Sequence, residues 1–113
     1  MEVVTHDRVR RGEVFLVGLD PTRGGEIRKT RPCLVISPDE VNQYLRTFIV
    51  APLTTGAYPY PFRVPCRFAA KLGHVLLDQI RTVDQERLIR KLGRVSPTTL
   101  HRSLSVLQEM FAI

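Results

Sequence analysis

A short loop carries most of the side chains in this sequence that could do chemistry. The stretch GGEIRKTRP, residues 24–32, places one carboxylate, Glu26, among the cations Arg28, Lys29 and Arg31, between two apolar segments. Two glycines let a backbone turn sharply and come close to a ligand, and guanidinium and ammonium groups bind phosphate. The loop therefore suits a phosphodiester. It is not a P-loop, because the Lys-Ser/Thr ending and the helix that follows it are missing.

Arg31 differs from the other cations of the loop because Pro32 follows it at the start of a predicted strand. A guanidinium held by a sheet is better fixed than one on a loop tip. Arg31 is therefore our candidate for chemistry, and Arg28 and Lys29 are candidates for binding. The alternative interpretation is that all three are solvated loop charges.

A second polar element closes the stretch APLTT, residues 51–55, where an apolar strand ends in two hydroxyls. Thr54 is either a strand-end residue or a hydrogen-bond donor, depending on what faces it. The three histidines do not form a pair for acid and base catalysis. We interpret them as structural or exposed, because His6 lies near the N-terminus, His74 opens a strand and His101 lies on the predicted C-terminal helix.

Length and charge limit the classes of function. The chain has 113 residues, which predicts one domain over 1–113 that buries a core without disulfides or metal. It has 17 Lys and Arg against 11 Asp and Glu, a formal net charge of +6. An excess of positive charge favours nucleic acid as partner, although a basic surface can also serve solubility alone.

The remaining features predict no cofactor, no metal and no membrane. Cys33 and Cys66 each lie in an apolar segment without a CxxC motif or a nearby His pair, so we interpret both as core thiols. No apolar run reaches the length of a membrane span, and residues 1–12 are too charged for a signal peptide. A cytoplasmic location follows, with residues 1–10 as a flexible tail.

Short apolar runs rich in β-branched and aromatic residues predict the strands. Three of them are nearly continuous in apolar residues, which indicates that both faces of their sheet are covered. Pro65 predicts an edge strand, and the longest candidate carries polar residues on both faces, so it either bulges or lines a site. The predicted strands are residues 13–20, 32–37 and 47–53, the edge strand 62–66 and the long strand 74–83.

Helix signals are clearest at the C-terminus. Ser96 is a capping residue, Pro97 occupies the first helical position, and apolar residues then repeat at helical spacing up to Phe111. A helical turn is predicted over 37–45, and a short helix or turn over 84–93 before a last strand. The fold predicted is mainly β (α+β): a small SH3-like barrel of bent antiparallel strands with a C-terminal helix.

Longer motifs in fixed order carry a resemblance that covers nearly the whole chain. They are DPTRGGEIRKTRP, APLTT and LLDQIRT, supported by RRGEVFLVGL, YPFRV and RKLGRVSP. With them the sequence resembles the MazF/PemK/Kid toxins of bacterial toxin-antitoxin modules. The resemblance implies a sequence-selective, metal-independent endoribonuclease that cleaves single-stranded mRNA. The ribose 2′-hydroxyl attacks the adjacent phosphodiester, leaving a 2′,3′-cyclic phosphate and a 5′-hydroxyl.

Carried over by position, the resemblance assigns catalytic roles to three residues. The arginine of the family's RP motif is Arg31, the threonine that closes its third core strand is Thr54, and its loop carboxylate is Glu26. Two positions depart from the pattern. Gly25 stands where relatives often have Ser, and Leu76 stands where some relatives have an Arg two positions before the aspartate.

Selection of a sequence in RNA requires groups that read the edges of unpaired bases. Asp78 and Gln79 can accept from and donate to base edges, and the backbone at Gly25 and Ile27 can do the same. The alternative interpretation is that these groups cap the barrel and its turns.

Partners follow from apolar surface and from the resemblance. The apolar runs exceed what one small barrel hides, which predicts a homodimer. The resemblance implies a cognate antitoxin with a disordered acidic tail, and contact with DNA through the antitoxin complex. Two alternatives stay open: a CcdB-like gyrase inhibitor, and a non-catalytic SH3-like RNA-binding module. A CcdB-like inhibitor binds its target chiefly through a C-terminal aromatic end, whereas this chain has no Trp. An RNA-binding module would use exposed aromatics, such as Tyr58 and Tyr60, to stack on bases.

Overall fold

Strands dominate the computed structural model, which describes residues 4–19, 29–56 and 59–113. Seven strands, two α-helices and three 3-10 turns lie in this part of the chain. The strands are β1 Glu13–Gly18, β2 Thr30–Val35, β3 Thr47–Thr55, β4 Arg63–Phe68, β5 Lys71–Leu76, β6 Arg81–Asp84 and β7 Leu88–Arg94. The helices are α1 Asp39–Tyr44 and α2 Pro97–Met110, and the 3-10 turns are His6–Arg8, Leu77–Gln79 and Gln85–Arg87.

All strand pairs in the sheet are antiparallel, in the order β4-β5-β3-β2-β1-β7, and β6 also pairs with β3. The long strand β3 has two partners on one edge, β6 along Thr47–Val50 and β5 along Leu53–Thr55. The sheet therefore bends around β3 into an open barrel, and β4 and β7 do not pair with each other within the described residues. The prediction of a mainly antiparallel β fold with a C-terminal helix is confirmed.

Both faces of the sheet are buried, as the nearly continuous apolar runs predict. Alternate residues of a strand point to opposite faces, so one strand supplies two clusters. The cluster on the helix face contains Val14, Leu34, Ala51, Leu53, Val64, Val75 and Leu77, with Leu104 and Leu107 of α2 packed among them. The cluster on the opposite face contains Val9, Phe15, Val17, Cys33, Val35, Phe48, Val50 and Val83.

Local signals explain where α2 begins. The Ser96 hydroxyl accepts a hydrogen bond from the Thr99 main-chain nitrogen at 3.1 Å, and Pro97 follows at the first helical position. The cap satisfies one of the donors that the first turn leaves free, and Pro has no donor to lose there. Burial of Leu107 then fixes the helix against the sheet.

The long strand predicted over 74–83 is interrupted. The structure has β5 and β6 separated by the 3-10 turn Leu77–Gln79, because the two halves pair with different segments of β3. The region 84–93 contains the turn that the sequence predicts, but β7 already begins at Leu88.

Residues 4–10 lie in the segment that the sequence predicts to be a flexible tail, and they contact the sheet. In residues 4–10, Val9 is fully buried, and the main-chain nitrogen of Arg10 donates to the Glu13 carboxylate at 2.7 Å. Val4 also packs against the cluster that contains Val9, and its carbonyl accepts a hydrogen bond from the Gln85 side chain at 2.7 Å, so both ends of this segment are held against the sheet. Residues 1–3 lie outside the described residues, and a single domain over 1–113 stays a prediction.

Candidate functional site

Arg31 and Thr54 lie beyond the last register pair of the neighbouring strands β2 and β3. Cys33 of β2 is the register partner of Pro52 of β3, and the two strands run antiparallel. Arg31 stands two residues beyond Cys33, and Thr54 two residues beyond Pro52. Because side chains alternate along a strand, Arg31 and Thr54 lie on the same face of the sheet as the Cys33–Pro52 pair. We call this the site face.

A cleft opens where the β2–β3 ladder ends. Pro32 of β2 forms one side of it, and Leu53, Thr54 and Thr55 of β3 form another. Its volume is about 190 Å³, and its remaining lining includes Phe68, Lys71, Gly73 and Leu92. Thr54 thus stands where the two strands have separated, while Leu53, Phe68 and Leu92 in the lining belong to the helix-face cluster.

Strand β5 fixes the end of β3 from the other side. Thr54 pairs directly with His74, and Thr55 pairs with Gly73. A Cβ atom on Gly73 would lie 1.9 Å from the Thr54 carbonyl oxygen, so no side chain fits at that position. Among the described residues, the Thr54 hydroxyl donates only one long hydrogen bond, of 3.4 Å, to the Thr55 carbonyl. This hydroxyl is therefore held in place by its backbone and remains available to a ligand.

Two guanidinium groups give the site face its charge. Burial raises the pKa of the Cys33 thiol to about 12, and the positive charges of Arg81 and Arg31 oppose this rise. Arg81 pairs with Val50, two residues before Pro52, and so lies on the same face as Cys33. Both arginines are exposed. An anion on this face would meet two fixed positive charges.

The predicted loop residues divide into one that the structure describes and four that it does not. Lys29 is exposed, and its carbonyl accepts a hydrogen bond from the Leu19 main-chain nitrogen at 3.2 Å. This bond fixes the backbone of Lys29 beside the end of β1. The other loop candidates, Gly25, Glu26, Ile27 and Arg28, lie outside the described residues, as does Tyr58.

Asp78 and Gln79 lie in the 3-10 turn between β5 and β6. Both strands pair with one edge of β3, so the turn runs beside Ala51 and Pro52. The Arg63 guanidinium donates two hydrogen bonds of 3.2 Å to the Asp78 carboxylate, and these bonds lower the pKa of Asp78. A carboxylate has about four acceptor sites, so Asp78 keeps capacity for a further donor.

Arg63 also stacks on an aromatic ring. Its guanidinium carbon lies 4.9 Å from the centre of the Tyr60 ring, a cation–π contact. The hydrogen bonds from Arg63 and this contact join Tyr60, Arg63 and Asp78 into one surface cluster. The cluster fixes the Asp78 carboxylate more firmly than its exposed position alone would.

Sequence reasoning missed two residues of the site face, His74 and Arg81. His74 is the direct partner of Thr54, whereas the sequence interpretation treats it as structural or exposed. Arg81 is visible in the sequence only as a polar residue in a strand candidate. Neither assignment could be made without the pairing of β5 and β6 with β3, which no local pattern reveals.

Metal-holding side-chain groups and membrane-spanning helices are absent from the described residues. No group of three or more His, Cys, Asp or Glu side chains there is arranged to hold a metal ion. No helix in this part of the chain is long and apolar enough to cross a membrane.

The fold and the site face define a class of protein. Residues 10–111 match the family of PemK-like, MazF-like toxins of type II toxin-antitoxin systems. The chain belongs to this family, and the resemblance carried by its motifs is confirmed.

Two relatives of known name support the assignment to this family. The chain is 37% identical over 105 residues to the endoribonuclease PemK of Escherichia coli, covering 85% of this chain and 77% of that protein. It is 38% identical over 104 residues to the endoribonuclease MazF9 of Mycobacterium tuberculosis, covering 81% and 86% of the two chains.

Solved structures share the fold. A chain in a crystal structure of MazE–MazF from Deinococcus radiodurans superposes with a TM-score of 0.80 at 26% identity, over 93% of this chain and 96% of that chain. MazF from the same organism gives a TM-score of 0.77, also at 26% identity, over 93% and 97%.

Proposed function

We propose that this protein is the toxin of a type II toxin-antitoxin module and acts as an endoribonuclease on single-stranded RNA. One observation carries the proposal: in a member of the PemK/MazF family, Arg31 and Thr54 each stand two residues beyond the last β2–β3 register pair, on the face of that pair. The relatives named endoribonuclease support the activity. The net charge of +6 supports a polyanionic substrate.

In the proposed mechanism the ribose 2′-oxygen attacks the adjacent phosphorus, and a cyclic phosphate forms. Glu26, the loop carboxylate, is the proposed base for the 2′-hydroxyl proton. Arg31 clamps the phosphate, and the Thr54 hydroxyl donates to a phosphoryl oxygen. A guanidinium stays protonated in proteins, so Arg31 acts through its charge rather than as a proton donor. The leaving 5′-oxygen therefore requires a proton from another group.

Substrate binding is assigned to groups beside this pair. Arg28 and Lys29 are proposed to bind phosphates, and Lys29 is exposed at the end of the loop nearest Arg31. Asp78 and Gln79, with the backbone at Gly25 and Ile27, are proposed to read base edges. Asp78 can accept a further hydrogen bond besides those from Arg63, which supports its proposed contact with base edges.

The proposed partners are an antitoxin, a second copy of the chain and, in the cytoplasm, mRNA. Most of the apolar runs from which the sequence predicts a dimer are buried within one chain, because the second cluster covers them. The support that remains is exposed apolar surface, with Leu72 66% exposed and Phe62 40% exposed. The structure of MazF with MazE supports an antitoxin partner.

The experiment that tests this function is incubation of a long single-stranded RNA with the protein in EDTA, followed by mapping of product ends. We expect discrete cuts that end in a 2′,3′-cyclic phosphate and a 5′-hydroxyl. Retained binding with intact RNA would instead indicate a non-catalytic module. Intact RNA together with arrest of DNA gyrase would indicate a gyrase inhibitor.

A further inference from the structure

His74 stands beside Thr54 at the open end of the site face. It pairs with Thr54 of β3 on one side and with Pro65 of β4 on the other. Directly opposed residues in an antiparallel ladder have Cβ atoms about 4.5–5.5 Å apart, on the same face. The imidazole is therefore within one side-chain length of the hydroxyl that the proposed mechanism places against the phosphate.

The His74 ring has hydrogen-bonding capacity that the described protein does not use. Its Nδ1 atom is buried and has no hydrogen-bond partner among the described residues. A buried polar atom normally finds a partner, because leaving it unpaired destabilises the fold. A purely structural residue at this position could be apolar and avoid that cost. His6 Nδ1 is unpaired in the same way, so what distinguishes His74 is its place opposite Thr54 and its half-buried ring, whose exposed part a ligand on this face could contact.

Within residues 4–19, 29–56 and 59–113, the neighbours of His74 on this face do not offer another group for proton transfer. Leu72 and Leu76 flank it along β5, and Thr54 and Pro65 lie across from it. Two further residues lie diagonally on β4: Arg67, and Arg63, which is engaged with Asp78. The arginines retain their protons, and the carboxylate of Asp78 is held by Arg63. Imidazole is the side chain that most often serves as general acid or base in enzymes.

We propose that His74 is the general acid of the RNA cleavage, an inference that rests on the proposed function. The 2′-oxygen forms its bond to phosphorus as the bond from phosphorus to the 5′-oxygen breaks. The proton of the 2′-hydroxyl passes to Glu26, the proposed base. A proton from the His74 imidazolium passes to the 5′-oxygen, which leaves as a hydroxyl. Water then restores the proton to His74 and accepts the one held by Glu26.

The variant His74→Gln tests the role, because glutamine keeps a polar side chain but cannot transfer a proton at neutral pH. We expect kcat on the mapped RNA site to fall about 100- to 10,000-fold, the usual contribution of a positioned acid. The Kd for a non-cleavable RNA, with 2′-deoxyribose at the cut, should stay within about threefold of wild type. His101→Gln, on the exposed side of α2, is the matched control and should cleave normally.

A substrate with sulfur in place of the bridging 5′-oxygen separates an acid from a structural residue. A thiolate leaves without a proton far more readily than an alkoxide, since thiols have a pKa near 8.5. On this substrate His74→Gln should approach the wild-type rate. Added imidazole should also raise the rate of His74→Ala on normal RNA.

These experiments distinguish failure of the proposed function from failure of the acid role of His74. Failure of the wild type to cleave RNA would refute the proposed function. Normal cleavage by His74→Gln in a wild type that does cut would refute the acid role and leave the function standing. Equal losses on the oxygen and sulfur substrates would also refute it, because the residue would then act on structure or binding.

Discussion

The two faces of the sheet serve different purposes, although the same strands form both. On the helix face, Ala51, Leu53 and Val75 are buried in the cluster that packs against α2. On the site face the middle is equally apolar, but Arg31, Thr54 and Arg81 surround its open end. Strand alternation lets one β3 supply both, since Leu53 and Thr54 are consecutive. Consecutive residues of β3 therefore serve different purposes: Leu53 stabilises the core on one face, and Thr54 serves the chemistry on the other.

The largest effect should come from Arg31→Lys. Lysine keeps the charge but cannot make the bidentate phosphate contact, so we expect kcat/KM for RNA to fall at least about a thousandfold. The Tm should match wild type, because Arg31 is exposed at the end of β2. Arg102→Lys, exposed on α2, is the control. Normal cleavage by Arg31→Lys would show that the geometry of this cation is unimportant.

Leu107→Ala tests the helix face and should change stability alone. Removing a buried leucine side chain costs about 2–5 kcal/mol of the free energy of unfolding. Denaturant melts give this value, and cleavage per folded molecule should be unchanged. Leu45→Ala is the control, since Leu45 is 51% exposed and its truncation should cost little. A slower cleavage step in folded Leu107→Ala protein would contradict the separation of the two faces.

Gly73→Ala should disturb the site through strand β5, which pairs with the end of β3 at Thr54 and Thr55. The added methyl would collide with the Thr54 carbonyl oxygen, so the end of β3 must move. Displacement of a catalytic group by about 1 Å can cost a hundredfold, and we expect kcat to fall by about ten- to a hundredfold. Kinetics with a parallel Tm measurement provide the check, and Leu45→Ala, at an exposed position outside the site, is the control. Unchanged kcat in folded Gly73→Ala would mean that Thr54 tolerates the shift.

Lys29→Ala should have the smallest effect. Loss of one phosphate contact to a single strand lowers the slope of log K against log salt by about 0.7. We expect weaker binding with cleavage retained, measured as Kd over a salt series. Arg102→Ala should leave the slope as it is. The same slope for Lys29→Ala would place its side chain away from the phosphates.

Local patterns in the sequence predict most of the fold and part of the site. Ser96 and Pro97 mark the start of α2, and the continuous apolar runs indicate a sheet buried on both faces; the structure confirms both. These signals are local, because they arise from helix capping and from the spacing of apolar residues along the chain. Arg31 and Thr54 could be singled out because each stands where an apolar strand meets a polar segment.

What the sequence could not predict depends on pairing between distant segments. The break at Leu77–Gln79 arises because β5 and β6 pair with different parts of β3. The same pairing brings His74 to Thr54 and Arg81 to the site face. A register between strands is set by the whole fold, so a single strand does not encode it. Val9 was missed for a similar reason, because its burial depends on a surface formed by later strands.

A double-mutant cycle of Arg31→Lys and Thr54→Val tests most directly the claim that both residues act on one phosphate. Thr54→Val is nearly isosteric, and loss of its donor should slow cleavage by about one to three orders of magnitude. Single-turnover rates with excess protein would be measured for wild type, both single variants and the double variant. We predict strong non-additivity, with the double variant little slower than Arg31→Lys alone. Additive losses would contradict a shared site.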